Sequence, residues 1–203
     1  MTPAIRCVMN AAMSPMTLPA TSPISSSRPA PCYLLLEAAG PGALDDLAGL
    51  AGDLDAAVAE SAADRARLWA YRERQPEAAG FLGTPVKLDV AVPAAGWVQL
   101  ATGMAGVVAA ADPAAQVITF GHVADGNLHV NIVPGGPADG RHEDAVFSFA
   151  ASLGGSISAE HGIGALKARW LPLARSAAER GLFARIRAAF DPAGTLNPHV
   201  LPR

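Results

Sequence analysis

From Leu128 to Ile132 the chain alternates strictly, Leu-His-Val-Asn-Ile, apolar residues on one side and polar ones on the other. A period of two belongs to a strand with one buried face. Val117–Val123, just upstream, has a strand's composition, and Asp125-Gly126 lies between the two segments. Asp-Gly readily supplies the two positive φ angles of a type I′ turn, so the pattern predicts a two-residue hairpin joining Val117–Val123 to Asn127–Val133. In that register Ala124 faces Asn127, Val123 faces Leu128 and His122 faces His129.

The remaining pattern alternates strand and helix signals. Tyr33–Glu37 (Tyr-Leu-Leu-Leu-Glu) reads as a short buried strand, Ala43–Leu50 as a helix begun at Pro41-Gly42, and Asp55–Glu60 as a weak second strand. Ser61 followed by Asp64 is a weak capping box for a helix that carries Leu68, Trp69 and Arg72 and frays near Pro76. Val86–Val92 is a strand closed by Pro93, and Ala94–Ala111 a helix that stops before Asp112-Pro113. Glu143–Leu153 is helical, Gly154-Gly155 turns, and Ser158–Gly164 is an irregular loop. A last helix over Ala177–Phe190 ends at Asp191-Pro192. Strands that alternate with helices yet meet in a hairpin predict an α+β fold, an antiparallel sheet with helices packed on one face and a C-terminal helical tail. Pro15, Pro19, Pro23, Pro29 and Pro31 with Ser25-Ser26-Ser27 set residues 1–31 apart as an irregular Pro/Ser-rich linker before a domain over residues 32–203.

Composition narrows the classes. With 203 residues the chain can bury one good core. A net charge of −3 and no Lys/Arg run with interleaved aromatics give no reason to expect nucleic acid. Cys7 and Cys32 lack metal-finger spacing and suit reduced thiols. No stretch approaches the roughly 20 apolar residues of a bilayer span, and the N-terminus is too broken for a signal sequence, so a cytoplasmic location is the expectation.

Candidate chemistry centres on the hairpin. His122 and His129 share one face, and Asn131, two residues beyond His129, joins them. Two imidazoles held this way need only a carboxylate to form a first-row metal site, and Glu160 in Glu160-His161-Gly162-Ile163-Gly164 is the candidate. Single histidines in strands are commonly hydrogen-bonded core or edge residues, and Glu160, Arg72 and Lys87 taken alone suit solvated charges. Gly162-x-Gly164 lacks the preceding strand, third glycine and lysine of a phosphate loop.

Three motifs in order carry a resemblance. Gly121-His122-x-x-Asp125-Gly126-Asn127-Leu128-His129-x-Asn131, then Glu160-His161-Gly162-Ile163-Gly164, then Phe190-Asp191-Pro192-x-Gly194-x-Leu196-Asn197-Pro198 resemble the C-terminal half of FAD-linked oxidases of the vanillyl-alcohol oxidase type. The D-lactate, glycolate and D-2-hydroxyglutarate dehydrogenases are the nearest look-alikes. The likeness runs from about Tyr33 to the C-terminus, and these residues hold no counterpart of the family's FAD-binding domain. The cap domain of that family is a ferredoxin-like antiparallel sheet, consistent with the α+β expectation.

The resemblance implies roles residue by residue. His122, His129 and Glu160 match the ligands of members that bind zinc, a divalent site with an open coordination position. Asn131 matches a substrate-contacting asparagine, and His161 both a substrate contact and the proposed general base. Leu68-Trp69-x-x-Arg72-Glu73 is similar to a motif whose arginine binds the substrate carboxylate, and Lys87 matches a second cationic contact. Asn197 falls in the cofactor-contacting tail. The implied reaction is oxidation of a small D-2-hydroxy acid of the D-lactate or glycolate type, with hydride passing from C2 to flavin N5. FAD would be held mainly by an FAD-binding domain or subunit beyond these residues. Pro76 stands where the 2-hydroxyglutarate enzymes carry a hydroxyl residue, Ala124 replaces a glycine, and His199 replaces another. The segment between Leu36 and Ser61 is shorter than in most relatives. A non-catalytic metal-binding interaction domain and a metal-dependent hydrolase are the alternatives.

Overall fold

A computed structural model of the chain describes residues 6–12, 33–54, 56–59, 61–137 and 139–200. Five strands form one antiparallel sheet: β1 (Arg6–Ala12), β2 (Tyr33–Glu37), β3 (Val86–Ala91), β4 (Gln116–His122) and β5 (Asn127–Val133), in the order β2-β1-β4-β5-β3. The helices are α1 (Ala43–Ala51), α2 (Ala62–Glu73), α3 (Gln75–Phe81), α4 (Trp97–Ala111), α5 (Arg141–Ser152), α6 (Leu171–Ala174) and α7 (Ala177–Phe190). The α+β class with a helix-covered antiparallel sheet is thus the observed one.

The chain order explains the ferredoxin-like character. β3 and β4 both run antiparallel to β5, which lies between them, and α4 connects them across one face. α5 follows β5, after which Ser156 makes an isolated antiparallel bridge to Ala91 beside β3. The sequence β3-α4-β4-β5-α5-bridge is the split β-α-β arrangement, its fourth strand reduced to one residue pair. β1 and β2 extend the sheet beyond β4.

One face of this sheet is the core. Leu88, Val90, Leu128, Val130 and Ile132 point to it and meet Leu100, Met104 and Val108 of α4 and Val146, Phe147 and Ala150 of α5. Leu100, Met104 and Val108 fall one turn apart, so a single stripe of α4 supplies the contact. Burying each large apolar side chain stabilises the fold by about 1.5–3 kcal/mol. The polar partners in β3 and β5, Lys87, Asp89, Asn127, His129 and Asn131, face the other way.

Several expectations need correction. Arg6–Ala12, read as part of an irregular linker, is a strand pairing with both β2 and β4. It precedes the first closely spaced prolines, and its pairing partners are distant in sequence. The Pro/Ser-rich stretch itself lies outside the described residues. Tyr33–Glu37 is an edge strand without buried residues rather than a buried one. Residues 56–59 form no strand, and Asp55 and Glu60 lie outside the described residues. Pro76 does not simply fray α2, because it sits in the first turn of a new helix, α3, where its missing N–H costs nothing. Ser61 caps α2 as expected, accepting from the Asp64 N–H at 3.1 Å. Ala94–Ala111 is, by length and composition alone, apolar enough to match a bilayer span, with mean hydropathy 1.4. Five of its residues, Trp97, Leu100, Ala101, Met104 and Val108, are buried in the core.

The hairpin register also differs, by two residues. His122 pairs with Asn127, Phe120 pairs with His129, and Val123–Gly126 form a four-residue loop closed by a Gly126 N–H to Val123 carbonyl bond of 3.3 Å. Asp125 Oδ1 accepts from the Asn127 N–H at 3.2 Å, so Asp-Gly occupies the end of the turn instead of its centre. A one-residue slip would have sent the histidines to opposite faces, whereas this shift keeps them on the same one. Gly126 has φ +73°, its carbonyl accepts from the Val92 N–H at 3.1 Å, and an added Cβ would lie 2.0 Å from the Val92 oxygen. Gly126→Ala is expected to destabilise the protein by about 2–4 kcal/mol through left-handed strain and the clash together. Gly106→Ala in α4, which meets nothing within 4 Å, is expected to stabilise it by about 0.5–1 kcal/mol. Urea denaturation of both variants checks the pair, and a neutral Gly126→Ala would contradict the close approach of turn and β3.

Candidate functional site

The polar face of the sheet gathers side chains from three separate segments. β4 supplies His122, β5 supplies His129, and the loop after the Ser156 bridge supplies Glu160. His122 Nδ1 lies 3.4 Å from Glu160 Oε1, and His129 Nε2 lies 3.7 Å from Glu160 Oε2. The two imidazoles are diagonal neighbours with ring centroids 6.0 Å apart and planes nearly perpendicular. One ligand atom from each of the three residues falls within 4.8 Å of the others. Two nitrogens and a carboxylate in that space form a donor set suited to a divalent first-row metal.

The protonation chemistry supports this reading of the donors. Burial lowers the pKa of His129 below its ordinary value, with Arg72 and His122 adding repulsion, and the attraction of Asp89 and Glu160 does not offset them. His129 is therefore neutral at neutral pH, the form a metal requires.

Arg72 reaches the site from the last turn of α2. Its Nη2 lies 3.1 Å from His122 Nε2, and its guanidinium stands 5.1 Å from the centroid of Phe120, which in turn stacks at 5.1 Å against His129. A guanidinium only donates, so Nε2 of His122 accepts and the ring proton sits on Nδ1, toward Glu160 and Asp125 (3.5 Å).

Lys87 and Asn131 are register partners on the same face, one strand position along from the Asp89–His129 pair. Asn131 is buried and Lys87 exposed. His161 follows Glu160 in the loop, with its side chain 63% exposed and Nδ1 3.6 Å from Asp89 Oδ2. Asn197 is not brought in by the sheet. It lies in the tail beyond α7, at φ +42°, with its carbonyl accepting from Arg187 at 3.0 Å. Asp191 shapes that tail by accepting from the N–H groups of Thr195 and Leu196 at 2.8 and 2.9 Å.

Two residues important to the site carried no signal in motif reading. Asp89 is completely buried, and its Oδ2 accepts from the backbone N–H groups of Ala159, Glu160 and His161 at 3.0, 2.9 and 3.0 Å. Burial alone raises a carboxyl pKa, but the His161 and Glu160 N–H groups, with His161 and His129 nearby, outweigh it and hold Asp89 below the usual range. Its one sequence signal is a carboxylate flanked by Leu88 and Val90 within a strand. Lys167 donates to the Ile157 carbonyl and to Ser158 Oγ, both at 3.1 Å, while Ser158 Oγ donates to the His161 carbonyl. Burial lowers the Lys167 pKa, partly offset by Asp89. Nothing in the local sequence distinguishes it from a solvated lysine.

Comparison with known proteins agrees with this architecture. The family described as "FAD linked oxidases, C-terminal domain" matches residues 4–201, and the chain belongs to it. Mitochondrial D-2-hydroxyglutarate dehydrogenase of Danio rerio is 33% identical over 192 residues, 88% of this chain and 35% of that protein. An uncharacterized FAD-linked oxidoreductase of Mycobacterium tuberculosis (strain CDC 1551 / Oshkosh) is 37% identical over 151 residues, 74% of this chain and 32% of that one. D-2-hydroxyglutarate dehydrogenase of Stutzerimonas stutzeri (strain A1501) is 33% identical over 156 residues, 71% and 33% respectively. The chain spans about a third of the length of these curated relatives.

Lys167→Ala is expected to loosen the loop that presents Glu160. Charge-assisted hydrogen bonds contribute about 1.5–3 kcal/mol, so amide exchange at Ser158–His161 should quicken about tenfold or more. Exchange mass spectrometry reads this, and unchanged protection there would make Lys167 a bystander.

Proposed function

We propose that this chain is the substrate- and metal-binding part of an FAD-dependent D-2-hydroxy acid dehydrogenase. The observation that carries the reading is the convergence of His122, His129 and Glu160 with Arg72, Lys87 and Asn131 on one sheet face. When bound, FAD supplies the acceptor for the C2 hydride, and a divalent metal, zinc foremost, supplies Lewis-acid polarisation of the hydroxyl.

The chain's own residues do the rest. Arg72 and Lys87 bind the carboxylate, the guanidinium by a two-pronged fork and the ammonium as a point charge. Asn131, buried beside Lys87, orients the substrate by hydrogen bonding. His161 takes the hydroxyl proton. Its Nδ1 lies 3.6 Å from the Asp89 Oδ2 that holds the loop, so Nε2, the nitrogen away from that carboxylate, is assigned as the base. FAD is held mainly by an FAD-binding domain or subunit outside these residues, with Asn197 a contact from the tail.

The substrate is a short acid of the D-lactate or glycolate type, because Pro76 offers no hydroxyl one turn beyond Arg72. D-2-hydroxyglutarate is the second reading, favoured by the names of the relatives.

The purified chain is expected to bind about one divalent metal, since the ligand set is a single His₂Glu. Elemental analysis of wild type and His129→Ala decides this, and equal metal in both would remove the proposed centre.

Joined to a compatible FAD-binding domain, the chain should oxidise a D-2-hydroxy acid, with D-lactate, glycolate and D-2-hydroxyglutarate as the panel. Arg72→Ala and Lys87→Ala should mainly raise KM, by roughly 10–150-fold each. His161→Ala should lower kcat by roughly 10²–10⁴-fold with a smaller change in KM. Near-normal turnover in His161→Ala would exclude it as the base.

A further inference from the structure

Asp89 has two oxygens with different surroundings. Oδ2 is saturated by the three loop N–H groups, whereas Oδ1, also buried, has no hydrogen-bond partner. Oδ1 faces His129 Nδ1 at 3.7 Å, while the other nitrogen of that ring, Nε2, faces Glu160 Oε2 at the same distance of 3.7 Å. A neutral imidazole carries one proton, so it can serve one of these carboxylates and not both.

The burial of the two carboxylates decides between them. Glu160 is 47% exposed and water can satisfy it, but Asp89 is 0% exposed. With the proton on Nε2, the Nδ1 lone pair and the Asp89 oxygen would face each other as two acceptors in a site closed to solvent, and Oδ1 would bear the whole desolvation penalty unrelieved. With the proton on Nδ1, that oxygen faces an N–H at 3.7 Å, an electrostatic attraction instead of a repulsion, and Nε2 presents a lone pair toward Glu160.

We propose that Asp89 is a positioning residue that sets the tautomer of His129, proton on Nδ1 and lone pair on Nε2, with the same carboxylate that anchors the Glu160–His161 loop. One buried side chain thereby aligns two ligands contributed by segments about 30 residues apart. The consequence for metal affinity rests on the metal-binding reading above, but the tautomer itself is a property of the metal-free chain.

The test is long-range ¹H–¹⁵N correlation of the histidine rings in the metal-free chain at about pH 8, where an ordinary imidazole is neutral. The expected spectrum has His129 in the Nδ1–H form, favoured roughly tenfold or more. In Asp89→Asn the single amide oxygen goes to the loop N–H groups and the NH₂ faces Nδ1. The ring should then switch to Nε2–H, and zinc affinity should fall about 10–100-fold. Asp125→Asn, which neighbours His122 and not His129, should leave the His129 tautomer unchanged. A wild-type His129 in the Nε2–H form overturns the inference, and this result needs no folded variant. Failure of the two readings is separable. An Nδ1–H ring in a chain that takes up no zinc sinks the metal site and leaves the Asp89 assignment standing, while zinc uptake with an Nε2–H ring does the reverse.

Discussion

The contact between the Asp89 carboxylate and the backbone of Ala159, Glu160 and His161 joins the two halves of the site. β3 belongs to the sheet and is held by the core, whereas the loop after Ser156 has no repeating hydrogen bonds of its own. Three N–H groups converging on one oxygen give that loop a fixed anchor, and burial of the carboxylate makes the anchor strong because no water competes. The Ala91–Ser156 bridge and the Lys167 bonds to Ile157 and Ser158 secure the same loop on its other side. Without these ties Glu160 would be a surface carboxylate, and the histidines would lack their third partner.

The fold divides labour between its two faces. Leucine, valine and isoleucine from β3 and β5 pack with α4 and α5 into a dry core, which makes the strands rigid. Because strand side chains alternate, the same rigidity passes to Lys87, Asp89, His129 and Asn131 on the opposite face. A site built on strands has its geometry determined by the ladder, and the elements that come to it from elsewhere are α2, bearing Arg72, and the Glu160 loop. Arg72 packs its guanidinium between His122 Nε2 and the ring of Phe120, which fixes where its charge lies on this face.

Membership in the FAD-linked oxidase C-terminal family gives the arrangement its context. The polar face is rich in histidine, with an arginine and a lysine nearby. The chain covers about a third of the length of its relatives. The buried Asp112, which accepts from the Gly135 N–H and contacts His142, shows a second use of a carboxylate here. There it ties the end of α4 to the start of α5, away from the polar face.

Local sequence was enough for the periodic parts. The alternation around His129 determined which residues share a face, Ser61 and Asp64 determined the start of α2, and Asp191-Pro192 the end of α7, because each depends on interactions within a few residues. His122, His129 and Asn131 were placed on one face by strand periodicity, and Glu160 was a candidate from its motif, but only chain folding brings it beside the histidines. The hairpin register was not legible, since the turn is held by a bond from the Val92 N–H, just past β3 and more than 30 residues away, to the Gly126 carbonyl. Nor was β1, whose pairing with β2 and β4 has no local signature. Asp89 and Lys167 were invisible as site residues because their roles consist of bonds to a loop that only chain folding brings near. What the sequence determined alone is periodicity and residue chemistry; what tertiary structure decided is which distant backbone groups each buried charge meets, and long-range pairing leaves no periodic trace in the chain.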